Sequence, residues 1–110
     1  MNELDLWSEM QKRFDLLDYA LKEVGNRGRT FAEAESEYRQ ALATKMLELR
    51  SDGMPVTICP DVARGTREIA LLKMERDCAE SLYKAALESI NVNKLRIKIL
   101  EEQMKREWGS

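Results

Sequence analysis

The sequence predicts an all-α fold: a long antiparallel helical hairpin of coiled-coil type that closes on a structured apolar turn and self-associates into a helical bundle. Charged residues make up 35% of the 110 residues and aromatic residues only 6%, a composition typical of long helices. Two long segments carry apolar residues at helical spacing. Both prolines and two of the five glycines fall between these segments, at positions 51–65. We therefore predict one domain over residues 1–110.

The first segment predicts a helix over about residues 3–50. Two interleaved seven-residue series are mostly apolar, which is a heptad seam. They are Trp7, Phe14, Leu21, Gly28, Glu35, Leu42, Leu49 and Met10, Leu17, Val24, Phe31, Tyr38, Lys45. Two glycines weaken the helix at 25–28, and Thr30 with Glu33 matches a capping box that would start a new helix. Because the heptad phase continues across this stretch, we predict one helix, weak or kinked at 25–29, with a break as the alternative.

The turn is predicted from its helix-stopping residues. Gly53 can supply the left-handed cap of the first helix, and Pro55 prevents the helix from continuing. Residues 56–59 are rich in β-branched side chains and precede Pro60, which predicts extended backbone. Pro60 suits a first helical turn and Thr66 suits a cap, so the second helix begins near 60 or near 66. Both starts remain open.

The second helix is predicted to run from about 66 to 108. Its inward candidates are Ile69, Leu72, Ala79, Leu82, Ala86, Ile90, Asn93, Ile97, Leu100, Met104 and Trp108. Their spacing leans toward an eleven-residue repeat, so we expect a poor match to the first helix. Additional apolar residues widen the stripe: Leu71, Met74, Cys78, Tyr83, Leu87, Val92, Leu95 and Ile99. A stripe this wide predicts a second neighbour, which self-association would provide.

Two groups of residues are candidates for binding. The turn is unusually apolar, which predicts either a lid over the helical core, the interpretation we favour, or a surface for a protein partner. The candidate partner-binding residues are Met54, Val56, Ile58, Arg64 and Arg67. The candidate nucleic-acid contacts are Lys94, Arg96, Lys98, Lys105 and Arg106. A solvated surface explains this second group better, because residues two apart on a helix do not share a face.

The sequence gives no pattern for catalysis or for metal binding. It has no histidine, and its two cysteines, Cys59 and Cys78, are too few for a metal site or a disulfide framework. No glycine-rich phosphate loop is present. We therefore expect a protein that is not an enzyme and that needs no cofactor. The lack of a long apolar run and the acidic first residues predict a cytoplasmic protein, in the host cell if a phage encodes it.

Several short runs resemble a group of small helical proteins encoded by phages and prophages of Gram-positive bacteria. The runs are Asp52-Gly53-Met54-Pro55-Val56-Thr57, Pro60-Asp61-Val62-Ala63-Arg64-Gly65, Glu75-Arg76-Asp77, Leu100-Glu101-Glu102-Gln103 and Arg106-Glu107-Trp108. The resemblance implies a small accessory protein that acts on host or phage machinery. We expect a protein-interaction module, an adaptor or inhibitor of a nuclease, replication or defence complex. A nucleic-acid-binding accessory protein is the alternative.

Overall fold

The computed structural model describes residues 2–109. It contains three helices: α1 (Glu3–Ser51), α2 (Cys59–Gly65) and α3 (Arg67–Trp108). No strand occurs within 2–109, and the predicted all-α helical hairpin is confirmed. Helix α1 runs through residues 25–29 without interruption. The chain divides into two compact units: unit 1 comprises Met1–Asn26 and Tyr83–Ser110, and unit 2 comprises Arg27–Leu82.

Both ends of α1 are capped by residues that suit those positions. The Asp5 backbone N–H donates to Asn2 Oδ1 at 2.9 Å, which satisfies one of the unpaired donors of the first turn. After Ser51, Gly53 has a φ of 93°. The Gly53 N–H donates to the Arg50 carbonyl and the Met54 N–H to the Leu49 carbonyl, each at 3.0 Å. This is the Schellman arrangement, and the predicted glycine cap is confirmed.

Both predicted helix starts are used, because the turn contains a short helix of its own. Helix α2 has a proline in its first turn, and α3 begins directly after Thr66. The extended backbone predicted for 56–59 is wrong: Ile58 is in the right-handed helical region, and the Ile58 and Cys59 N–H groups both donate to the Pro55 carbonyl. A residue before proline prefers extended backbone. Cys59 is helical instead because its side chain is 1% exposed and its Sγ donates to the Met46 carbonyl, contacts that hold it in place.

The core of unit 1 shows that its two segments run antiparallel. Leu6 and Met10 near the start of α1 cluster with three residues from the end of α3: Ile97, Leu100 and Met104. Leu17 packs against this cluster. One of the two heptad series predicted for this part of α1 is wrong by one position, whereas Met10, Leu17 and Val24 of the other series are buried or half-buried as predicted. Trp7, Phe14 and Leu21 are about half exposed, whereas Leu6 and Ala20 are buried and Arg13 is half-buried.

The inward side of α3 is an unbroken heptad, so the predicted lean toward an eleven-residue repeat is wrong. We call its residues the inner seam. All of them are buried or half-buried: Ile69, Leu72, Arg76, Ala79, Tyr83, Ala86, Ile90, Asn93, Ile97, Leu100 and Met104. Their spacing alternates three and four residues without exception. The predicted inward residues Leu82 and Trp108 are instead 49% and 47% exposed.

Unit 2 buries the inward side of α2, and the predicted lid over the helical core is wrong. Cys59 and Ala63 are the buried residues of α2. The β-branched residues expected to form the lid point outward, with Val56 63% exposed, Ile58 48% and Val62 39%. The small residues fill the space beneath the turn, which leaves the large apolar ones in solvent.

Candidate protein-interaction surface

One outward-pointing residue of the turn, Val56, lines an apolar cleft in unit 2. The cleft has a volume of about 450 Å³ and lies between the last turns of α1 and the start of α2. Met46 and Leu47 of α1 line one side, and Val56 and Pro60 line the other. Leu47 is 70% exposed, the most exposed large apolar residue of unit 2. A recess of this size can accept one or two large apolar side chains from a partner.

The backbone around the cleft is fixed by several hydrogen bonds. Arg50 lines the cleft, and its guanidinium donates to the Met54 carbonyl at 2.7 Å, which ties the chain after the glycine cap back to α1. Cys59 also lines the cleft and is anchored through its Sγ to Met46. At the end of α2, the Thr66 hydroxyl donates to the Ala63 carbonyl at 2.7 Å. The cleft is therefore largely preformed, which lowers the ordering cost of binding a partner.

The five partner-binding residues predicted from the sequence do not all meet at the cleft. Val56 lines it, and the adjoining Ile58 is exposed, whereas Met54 is half-buried. Arg64 lies instead along a different, open groove of unit 2, beside Met74 and Leu82 of α3. Its guanidinium lies 3.8 Å from the Asp61 carboxylate, and Arg67 is exposed at the start of α3. The turn surface therefore centres on Val56, and the two arginines do not form part of the cleft.

Sequence reasoning missed the contribution of α1 to this surface. Leu47 falls off the predicted heptad seam, and Met46 precedes it. A large apolar residue that leaves the seam within one turn of a helix end was the available signal. The turn residues are themselves apolar, so they mask the contribution of Leu47 in the sequence pattern.

Unit 2 also contains a group of polar contacts between α1 and α3, centred on Arg76. Arg76 occupies an inner-seam position with its guanidinium 4.8 Å from the centre of the Tyr38 ring and its Nε 3.4 Å from Glu35 Oε2. Arg76 also donates to Asp77 Oδ1. The hydrogen bond from Arg39, with further attraction from Arg76, lowers the pKa of Glu35. Hydrogen bonds from Lys73 and then Arg76 lower the pKa of Asp77. Planar stacking with charge pairing suits arginine at this position.

The basic residues of α3 are exposed but do not form one surface. Lys98 and Lys105 are seven residues apart and share a face, whereas Arg96 lies two positions from Lys98 and lines a small recess of unit 1 with Glu9. The same stretch contains Glu101, Glu102 and Glu107. Lys94 lies four residues before Lys98 and shares its face, as does Glu101, whereas Arg106 is exposed on another side of the helix. Phosphate binding requires convergent positive charge, and here Glu101 lies among the lysines of one face while the two arginines lie elsewhere.

Helix α3 has a second apolar face, which we call the outer stripe. Its residues are Leu71, Met74, Cys78, Ala85, Val92, Leu95 and Ile99, and all of them are exposed. Each lies two positions after an inner-seam residue, a rotation of roughly 200° about the helix axis, so the two apolar faces are on opposite sides. The outer stripe keeps the heptad spacing of the inner seam, with polar residues, Ser81 and Glu88, at two of its positions. It therefore has the pattern of a surface that packs against another helix.

No family model, curated protein or solved structure matches the chain. Within residues 2–109, no helix is long and apolar enough to cross a membrane. No group of three or more potential metal-ligating side chains occurs in the same described part of the chain.

Proposed function

We propose that this protein is a non-enzymatic protein-interaction module that binds a protein partner through the turn end of the hairpin. The observation that carries the proposal is the preformed apolar cleft in unit 2, bordered by the exposed side chains of Leu47 and Val56. Apolar side chains left in solvent around a rigid recess favour association with a partner. The partner would insert one or two large apolar side chains into the cleft.

The charges around the cleft favour a partner recognised by shape more than by charge. Lys45 lies 3.7 Å from Glu48, and the Arg64–Asp61 pair lies on the adjoining surface. These two basic groups are thus balanced by acids within one helical turn, and Arg50, which lines the cleft, donates to the Met54 carbonyl. Such local pairs contribute little attraction over distance, so association would depend mainly on apolar burial.

We further propose that the protein acts as an adaptor or inhibitor of a host or phage complex in nucleic-acid metabolism or defence, and that it works in the bacterial cytoplasm. The support for this step is the likeness of its turn and α3 motifs to small phage-type helical proteins. A helical hairpin with an apolar turn is suited to occupying a site on a larger protein without catalysing a reaction.

The test is affinity capture from a Gram-positive bacterial lysate with a matched pair of variants. Leu47→Lys places a charge at the cleft, and Leu4→Lys makes the same change on an apolar residue of unit 1 that is 75% exposed. We expect the captured protein to be lost with Leu47→Lys and retained with Leu4→Lys. Capture that survives both changes but is lost with nuclease or with Lys98→Glu would contradict the proposal and favour nucleic-acid binding.

A further inference from the structure

We propose that the outer stripe of α3 is a homodimer interface in which two copies of α3 pack antiparallel, with Cys78 of one copy facing Leu95 of the other. The proposal concerns a different face from the cleft at the turn, and it does not depend on the function proposed for that cleft. The occupant is a second copy of this chain, because the charges beside the outer stripe complement themselves at this register.

The spacing of the outer stripe specifies a helical occupant. The stripe extends from Leu71 to Ile99, which is roughly 42 Å of helix at 1.5 Å per residue. Its residues recur at heptad spacing over four repeats, long enough to support a coiled-coil pairing. Leu95, Ile99 and Met74 are each more than half exposed. Contact with another helix of the same period would bury all three together.

The charged residues beside the stripe select the register. In an antiparallel pair, a residue directly after a stripe position faces a residue directly after a stripe position of the partner helix. Residues directly before stripe positions face each other in the same way. With Cys78 facing Leu95, Ile99 faces Met74. Glu75 then faces Arg96, and both side chains are exposed. By symmetry this opposite-charge pair occurs twice in the dimer.

A second flanking pair agrees with this register. Asp77 faces Lys98, although Asp77 is already hydrogen-bonded to Lys73 and Arg76 and contributes less attraction. Glu88, a charged residue within the stripe, faces Ala85. A small side chain at that position leaves the carboxylate a route to solvent, so its burial cost is avoided.

The alternative pairings bring like charges together or leave charges without a partner. A shift of seven residues in one direction places Lys84 opposite Lys84, and a shift in the other direction places Lys84 opposite Lys98. Parallel, in-register pairing places Glu88 opposite Glu88 and pairs neither Glu75 nor Arg96 with an opposite charge. Like charges facing each other across a helical pair are unfavourable, so the antiparallel register is preferred.

Charge reversal tests the flanking pair. Glu75→Arg and Arg96→Glu should each weaken dimerisation roughly tenfold, because each change turns two attractive surface pairs into repulsive ones. The double variant should restore wild-type affinity, measured by sedimentation equilibrium at low ionic strength. Weakening that is additive in the double variant would contradict the proposed pairing.

Disulfide trapping tests the orientation directly, because the chain already has an exposed thiol at Cys78. We expect oxidised Leu95→Cys to form a covalent dimer through Cys78 of one copy and the thiol introduced at position 95 of the other, identified by peptide mapping. The wild type should form none, because its two Cys78 residues would lie roughly 25 Å apart along the pair. Buried Cys59 serves as an internal control. Disulfides between two Cys78 residues would show parallel pairing and overturn the proposal, as would the absence of any covalent dimer with Leu95→Cys.

Discussion

Two isoleucines in unit 2 allow a matched test of which apolar residues hold the fold together. Ile69 at the start of α3 is 1% exposed, whereas Ile58 in the turn is 48% exposed. The same change, isoleucine to alanine, therefore removes the same atoms from a fully buried and from a half-solvated position. The difference between the two variants measures burial without the confounding effect of residue type.

We expect Ile69→Ala to lower the free energy of unfolding by about 3 kcal/mol, because it removes buried methyl groups and leaves a cavity. The corresponding fall in melting temperature is roughly 10–15 °C for a chain of this size. Ile58→Ala should cost about 0.5–1 kcal/mol, because much of its side chain stays in water and no cavity forms. If the proposed partner binds at the turn, Ile58→Ala should also weaken its capture.

The assay is urea denaturation followed by far-UV circular dichroism, at a fixed protein concentration because self-association would add to apparent stability. Equal slopes in urea would show that the three proteins unfold by the same transition. An Ile69→Val variant should cost about 1 kcal/mol and would confirm close packing at that position. A loss for Ile58→Ala as large as that for Ile69→Ala would refute the assignment of the turn residues to the surface.

Three further outcomes follow from individual contacts. Gly25→Ala should raise the free energy of unfolding by about 0.5–1 kcal/mol, because Gly25 lies within helix α1 and a new Cβ would meet no atom within 4 Å. Gly53→Ala should lower it by about 1 kcal/mol, because Gly53 has a φ of 93°. Thermal melts would show both changes. The fold lowers the pKa values of Glu35 and Asp77, so these carboxylates stabilise it fully above their ordinary pKa values of 4.5 and 3.8 and lose that contribution on further acidification. Glu35→Gln should therefore weaken the dependence of the unfolding free energy on pH in the acid range. Asn93→Leu should raise the melting temperature, because the buried Asn93 amide donates within its own helix, to the Ser89 carbonyl, and leucine would bury apolar surface in its place. A lower melting temperature would show that the asparagine has another role.

The fold was predictable because its main signals are local. The glycine and proline positions mark the end of α1 through backbone geometry that few other residues adopt, and the observed cap at Gly53 follows this rule. Helical spacing in both long segments then leaves a hairpin as the simple arrangement. Helix α2 was harder to predict, since it depends on the burial of Cys59 and Ala63 against residues distant in sequence.

Apolar content placed one heptad series of α1 correctly, from Met10 to Lys45, but not the other, because the largest apolar residues do not mark the core. Trp7 is larger than Leu6, yet Trp7 is exposed and Leu6 is fully buried. On α3 the inner seam includes Arg76, whose stacking on Tyr38 makes a charged residue acceptable there. A helix with apolar residues on two opposite faces gives two competing periodic patterns, and their mixture resembles a longer repeat.

The cleft was only partly predictable for a related reason. The apolar composition of the turn indicated a special role for Val56 and Ile58, but composition does not distinguish a lid from an outward surface. That distinction depends on whether smaller residues fill the space below, which Cys59 and Ala63 do. Only the three-dimensional arrangement shows that Leu47 of α1 belongs to the same surface.

Sedimentation equilibrium most directly tests the central claim that α3 presents a second apolar face for association. The wild type and two variants, Ile99→Glu on the outer stripe and Leu4→Glu away from it, would be compared from low to high micromolar concentration. Both leucine and isoleucine are more than half exposed, so neither change should alter helical content. We predict twice the 12.8 kDa chain mass for the wild type and for Leu4→Glu, and the single-chain mass for Ile99→Glu. A single-chain mass for the wild type throughout, or a dimer that survives Ile99→Glu unchanged, would contradict the claim.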